Sequence, residues 1–239
     1  MLENITIEHI LFLDIETVPQ FPSYDLVPET TQKLWDLKVQ ALQKSGRTSE
    51  TTGEYYRSAG IYAEFGKIIC ISVGFINGNR FRIRSFSGDD EKKVLTEFSQ
   101  LLDEHYNKKT SQLCGHNGKE FDFPFIARRL LILGLKVPLI LDTAGKKPWE
   151  VQHLDTMELW KFGDHKSYTS LNLLSNVLGV PTPKDDIDGS MVYSVYYEEK
   201  DLQRIVTYCQ KDVLTVARIL LRMLGRPIIK EVDVHISNE

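Results

Sequence analysis

Asp14 and Glu16 stand two residues apart at the end of an apolar run, Ile10-Leu11-Phe12-Leu13. Side chains alternate faces along a strand, so both carboxylates fall on one face. Two such acids at the end of a buried strand repel each other and lose hydration. A divalent cation compensates them best, and solvation at the strand end is the plainer alternative. Tyr208 and Asp212 are four apart and share a helix face. Their row includes Ile205, Val216 and Ile219, so Asp212 sits on an apolar flank, where a metal, a lysine or an arginine would serve it. Asp122 lies between Phe121 and Phe123, just before Pro124, where an aspartate usually caps a helix. Ahead of it, Gly115-His116-Asn117-Gly118 supplies a turn and polar side chains. Each motif alone is weak. Together they offer oxygen ligands only, which favour Mg²⁺ or Mn²⁺ over zinc. Four acids and a tyrosine so arranged suit two-metal phosphoryl chemistry on a nucleic acid, with ions ~3.5–4 Å apart clamping the attacking and leaving oxygens. A phenol with a pKa near ~10 is a poor base, so Tyr208 is fitted to orient a water rather than to activate it alone. His116 and His153 lack zinc-ligand spacing and read as hydrogen-bonded or surface histidines.

The chain of 239 residues is 42% hydrophobic, enough for one sizeable domain. Its net charge of −4 gives no whole-molecule field for nucleic acid. An enzyme that touches only a strand end needs few phosphate contacts, so mild acidity does not exclude one. Cys70, Cys114 and Cys209 are scattered in segments that read as buried, which suggests reduced structural thiols. The N-terminal apolar stretch is short and meets Asp14, so neither a signal peptide nor a membrane span is expected, and the chain reads as cytoplasmic.

The elements that must position these residues follow from periodicity. Ile10–Ile15 suits a central strand, ended by Pro19 and Pro22. Residues 18–66 form an insert with a helical patch around Leu34, Leu37 and Ala41 and a polar stretch from Ser45 to Gly53. Lys67–Ile76 and Arg80–Phe86 read as a hairpin turning on Asn77-Gly78. A helix capped by Asp89 or Asp90 carries Val94, Leu95, Phe98, Leu101 and Leu102, and Leu113-Cys114 belongs to a short strand. Further elements are a helix through Pro124 to Leu133, a strand at Val151–Leu154 and a cap at Asp155. A short helix over Leu171–Leu178, a long one over Lys200–Leu224 and a tail or marginal strand at 228–239 complete the chain. This order predicts an α/β fold with an antiparallel hairpin beside parallel βα units.

Leu13-Asp14-Ile15-Glu16-Thr17, His116 through Pro124, and Tyr208-Cys209-Gln210-Lys211-Asp212 resemble the three exonuclease motifs of the DEDD superfamily. The nearest likeness is to the 3′–5′ exonuclease domain of family B DNA polymerases and its stand-alone bacterial relatives, over residues 8–224. The resemblance implies a ribonuclease H-like fold, two divalent cations (Mg²⁺ or Mn²⁺) and removal of nucleotides from 3′ ends. It implies Asp14, Glu16, Asp122 and Asp212 as metal ligands and Tyr208 as the mark of the tyrosine branch. The histidine branch would carry its histidine at the position of Thr207. Thr17, Asn117 and Phe121 match positions that contact the strand end, and Ser170-Leu171, after the Lys166-Ser167-Tyr168 loop, looks like a pair that also holds it. Phe121, Phe123 and Tyr168 are candidates for stacking on bases. Asp155 reads as a helix cap. No motif is assignable in 18–66, and no polymerase palm or fingers fit in the remaining sequence, so proofreading would require a separate polymerase or repair partner. Single-stranded DNA is the expected substrate, with an exoribonuclease as the alternative. A catalytically silent binding module is disfavoured because all four acids and Tyr208 are present.

Overall fold

The structure is a computed structural model that describes residues 5–78, 80–164, 168–181 and 187–237. Its elements, in chain order, are β1 (Ile10–Pro19), α1 (Glu29–Lys44), α2 (Thr52–Tyr55), β2 (Gly66–Asn77), β3 (Arg80–Ser87), α3 (Glu91–His105), β4 (Gln112–Gly115) and α4 (Asp122–Ile132). There follow β5 (Leu154–Asp155), α5 (Thr156–Lys161), α6 (Leu171–Val177), α7 (Val192–Ser194), α8 (Leu202–Met223) and β6 (Val234–Ser237). The strands form one sheet in the order β5-β4-β1-β2-β3-β6. β2 runs antiparallel to β1 and β3, and all other neighbours are parallel. This is the mixed α/β layout expected from the element order.

β1 opens with an unbroken apolar run, Ile10–Leu13, because both of its faces are covered there. Leu11, Leu13 and Ile15 point to the α3–α4 side, in one core with Phe98 and Ile126. Ile10 and Phe12 point to α8, in a second core with Val213, Ala217 and Leu220. Val18 returns to that second face and meets Ile205. The two segments therefore pass each other in reverse, with the C-terminal half of α8 over the start of β1 and its N-terminal half over the end. Asp14 and Glu16 fall on the α8 face between Phe12 and Val18.

Several elements differ in detail from expectation. Asn77 pairs with Arg80, so the hairpin loop begins one residue later than Asn77-Gly78 suggested, with Gly78 at φ 62°. The register is set by Phe81 and Ile83, which must turn inward to the α8 core. In α1 the buried face is Trp35, Val39 and Leu42, while Leu34 and Leu37 are exposed. An aromatic cluster decides that face: Trp35 stacks on Tyr55 and meets Tyr56, Tyr62 and Phe65 edge-on. The polar stretch that precedes Tyr55 includes α2, held by a reciprocal cap between Thr51 and Glu54. Asp90, not Asp89, caps α3. Residues Val234–Ser237 of the tail form the edge strand β6 beside β3.

The strand expected at Val151–Leu154 shrinks to Leu154–Asp155 because a side chain takes its place. His153 Nδ1 accepts the Leu113 N–H at 3.2 Å, and Nε2 donates to the Ile140 carbonyl at 2.8 Å. Burial, set against that carbonyl bond, pushes this imidazole down to about 4. Its unfolded value is near ~6.5. A depressed value means stability that is present above pH 6.5 and lost as pH falls towards 4, at most ~3 kcal/mol. Urea midpoints should therefore drop over that window, and His153→Gln should remove this component of the slope. An identical slope in the variant would refute the assignment.

Candidate active site

Asp14, Glu16 and Cys209 bring one ligand atom each to within 4.8 Å of one another. The register between β1 and α8 places them so. The Cys209 thiol donates to the Asp14 carbonyl oxygen at 3.4 Å, which seats α8 on the strand one turn before Asp212. Asp122 arrives from the other side of the strand. β4 pairs with β1 only over Ile10–Phe12, so the edge of β1 is open beyond it. Asp122 Oδ1 fills that gap by accepting the Ile15 N–H at 3.0 Å. Asp122 is thus the first residue of α4 but reaches β1 rather than acting as the N-cap, which is Phe121.

The charges of these groups are felt mutually. Burial, then Glu16, Asp122 and Asp212, hold the Asp14 carboxyl well above the usual range. Burial, then Asp212, raises Glu16 in the same way. Asp122 is pushed up to about 7 by burial, against the opposing Ile15 N–H, with Asp155 and Asp212 adding to the rise. No positive side chain figures among these influences. Asp14 Oδ2 is buried and has no hydrogen-bond partner among the described residues. Burial, followed by Asp212, Glu16 and Asp14, also lifts the Tyr208 phenol far above its ordinary value, and its contact with Asp212 adds to that. Tyr208 therefore faces all three acids as a neutral hydroxyl. A cluster of buried and half-buried acids that raise one another, with one buried oxygen unsatisfied among the described residues, fits hard divalent cations.

Asp155 fastens the turn beside this cluster. Its carboxylate caps α5 by accepting from Met157 and Glu158 N–H, and also accepts from Asn117 and Lys119 N–H. Its oxygens are thereby engaged with backbone donors, in line with a cap rather than a ligand. Asn117 takes φ 65°, and its buried Oδ1 has no partner among the described residues. His116 bonds Thr156 Oγ1 at 2.9 Å and the Thr169 carbonyl at 2.8 Å, which ties the segment before α6 to this turn. Thr17 and Phe121 line a cleft of about 430 Å³ that also contains Glu16. Ser170 and Leu171 do not line it: the Ser170 hydroxyl caps α6, and Leu171 packs against the α8 cores. Phe123 is only 4% exposed and lies edge-on to His153, so it has no face free for a base. Tyr168 is exposed, while Lys166 and Ser167 lie outside the described residues.

Residues 61–226, well over half of the chain, match the family described as a predicted 3′–5′ exonuclease related to the exonuclease domain of PolB. The chain belongs to this family. Within the PolB-exonuclease-related stretch lie Asp122, Tyr208 and Asp212, whereas Asp14 and Glu16 precede it. The chain is also 21% identical over 161 residues to a DNA polymerase of Pyrococcus glycovorans, a match that takes in 58% of this chain and 20% of the polymerase. The family B DNA polymerase of the archaeon Pyrobaculum calidifontis has the same fold over 89% of this chain and 24% of its own, at 19% identity and a TM-score of 0.50. The chain thus spans about a fifth to a quarter of the polymerases it matches. The ribonuclease H-like architecture is shared with that polymerase.

Three features of this candidate site lie beyond what spacing in the sequence can show. Cys209, read only as a buried thiol, touches the backbone of Asp14 and lies beside both β1 acids. Asp155 reads in the sequence as a local cap, and its two bonds to the Asn117 turn are long-range contacts that spacing does not reveal. Arg57 and Tyr193, which line the cleft, belong to segments with no motif. Among the described residues no helix is long and apolar enough to cross a membrane.

Proposed function

We propose that this chain is a 3′–5′ exonuclease that hydrolyses phosphodiester bonds at the 3′ end of single-stranded DNA with two bound divalent cations. The observation that carries the reading is the meeting of Asp14 and Glu16 on β1 with Asp122 from α4 and with the Tyr208–Asp212 face of α8, whose acids raise one another. Asp14, Glu16, Asp122 and Asp212 would hold Mg²⁺ or Mn²⁺. Such ions supply an activated water and charge stabilisation at the attacking and leaving oxygens. Tyr208, kept protonated, orients the water. The cleft beside Glu16, with Thr17 and Phe121 on its walls, receives the strand end, with Asn117 as a further contact. DNA is favoured over RNA by the family's kinship to PolB.

The test uses DNA and RNA single strands labelled at the 5′ end, incubated with Mn²⁺, with EDTA, and with Asp212→Ala. A DNA ladder shortening from the 3′ end, dependent on metal and on Asp212, is expected. Shortening of RNA alone would move the assignment to an exoribonuclease, and binding without cleavage to a silent module. Tyr208→Phe should lower kcat by about 10–100-fold, the range for groups that act on a metal site from outside its ligands. Mn²⁺ affinity by calorimetry should stay near wild type; its complete loss would mean that Tyr208 belongs to the ligand set.

A further inference from the structure

The segment between β1 and β2 is firmly built. Its aromatic cluster around Trp35 is anchored by a bond from the Trp35 indole to the Thr52 carbonyl at 2.9 Å. Tyr56–Ile61, a 3₁₀ helix, then lies against β1 at very short range. A Cβ on Gly60 would stand 3.0 Å from the Val18 backbone, and one on Gly66 would stand 2.7 Å from the Gly60 carbonyl. A side chain at position 66 would force the backbone apart, and one at position 60 would need it to give by a few tenths of an ångström. From α7 and the π-helical segment Val195–Glu199 that follows it, Tyr193 and Tyr197 hydroxyls bond the Pro22 and Pro19 carbonyls and close the other side.

The consequence is a cleft whose walls come from both places. Glu16 and Thr17 stand on one side, Arg57 and Ile61 on the insert, with Phe121 and Tyr193 completing it. Its volume of about 430 Å³ lies within the ~300–1,000 Å³ of small-molecule pockets. Among the described residues, Arg57 is the one basic residue on this lining. Its guanidinium sits 5.0 Å over the Tyr193 ring and pairs with Glu198 at 3.1 Å, with both partners more than half exposed. An exposed pair of this kind is weakly held, so Glu198 can be exchanged for a phosphate, which the planar guanidinium fork matches as it does a carboxylate. Ile61, 54% exposed, offers apolar surface on the same wall.

We infer that the insert is a fixed wall of the substrate cleft, with Arg57 holding a backbone phosphate of the strand whose terminal nucleotide occupies that cleft. The inference rests on the proposed function for the identity of the strand. Its test is chosen to fail separately. Affinity for a fluorescent single-stranded oligodeoxynucleotide is measured by anisotropy at fixed Ca²⁺ over a KCl series, alongside kcat and KM in Mn²⁺. One lost phosphate contact makes the slope of log K against log[salt] shallower by ~0.7 for a single strand. Arg57→Ala should show that change, with KM raised about 10-fold and kcat within about twofold. Arg57→Lys should keep most of the slope and recover part of the affinity. Glu198→Ala, which breaks the ion pair but leaves the guanidinium, should bind as well as wild type or better. Equal losses in Arg57→Ala and Glu198→Ala would reduce Arg57 to a structural clamp and overturn the inference, as would an unchanged slope in Arg57→Ala. If wild type binds with the expected slope difference yet cleaves nothing, the exonuclease reading falls while the role of Arg57 stands.

Discussion

Asp14→Asn is expected to abolish cleavage, by at least ~10³-fold in kcat, while raising the melting temperature of the protein in EDTA. The two effects have one cause. The substitution keeps the shape of the side chain and removes its charge. Under the proposed mechanism that charge holds a cation at the reacting phosphate. A single hydrogen-bond donor to a developing oxyanion is already worth ~10²–10³ in rate, so a metal ligand is worth no less. Without metal the same charge is a burden, because Asp14 is raised by burial and by Glu16, Asp122 and Asp212. A raised carboxyl value means stability that is intact below the unfolded carboxylate range and lost as pH rises through the folded value. Near pH 8 in EDTA the wild type bears that cost and the variant does not. Adding Mn²⁺ should then raise the melting temperature of wild type more than that of Asp14→Asn, since ligands of the native state alone stabilise it. Cleavage at wild-type rate by the variant would remove Asp14 from the site. A lower melting temperature for the variant in EDTA would show that the carboxylate is held by favourable contacts instead.

The parts of this site that sequence made legible are those with a local period. Alternation along β1 placed Asp14 and Glu16 on one face, and the four-residue step on α8 placed Tyr208 with Asp212. The covered faces of β1 were readable too, since only a strand packed on both sides carries Ile10-Leu11-Phe12-Leu13 unbroken. What could not be read is what depends on where elements cross. Asp122 looks like a helix cap because its bond to Ile15 spans 107 residues of sequence. His153 looks like the middle of a strand, yet its ring replaces a strand's backbone acceptor opposite Leu113. In α1 the apolar residues Leu34 and Leu37 are periodic but face outward, because Trp35 has a better partner in the tyrosines that follow it. Ser170 and Leu171 carry a suggestive pair of letters, and helix capping and core packing account for both in the fold.

Glu91→Ala should be the most destabilising of the single changes considered, by about 3–5 kcal/mol, and the reason lies on the far side of the sheet from the acids. Arg129 of α4 and Glu91 at the start of α3 form a two-pronged ion pair at 2.8 and 2.6 Å, with side chains only 4% and 7% exposed. The remaining valences are used as well: Arg129 donates to the Ala63 carbonyl at 2.8 Å, and Glu91 accepts the Ile68 N–H at 2.8 Å. One pair thereby joins two helices to the entry of β2. Removing the glutamate leaves a guanidinium buried without its counter-ion and the Ile68 N–H without an acceptor, and it is these orphaned groups that cost stability. Replacing both members, as in Glu91→Leu with Arg129→Met, removes the buried charges together, which is often neutral or favourable for a pair alone. Here Ile68 N–H and the Ala63 carbonyl still lose their partners, at about 1–3 kcal/mol each. The double variant should therefore be less destabilised than Glu91→Ala without regaining wild-type stability. Urea unfolding of wild type, Glu91→Ala and the double variant measures both differences, with an unchanged m-value required for the comparison. A loss below about 1 kcal/mol in Glu91→Ala would mean that water reaches Arg129 and that the pair is a solvated contact, whereas a double variant worse than the single would locate the stabilising role in the backbone bonds rather than in the charges.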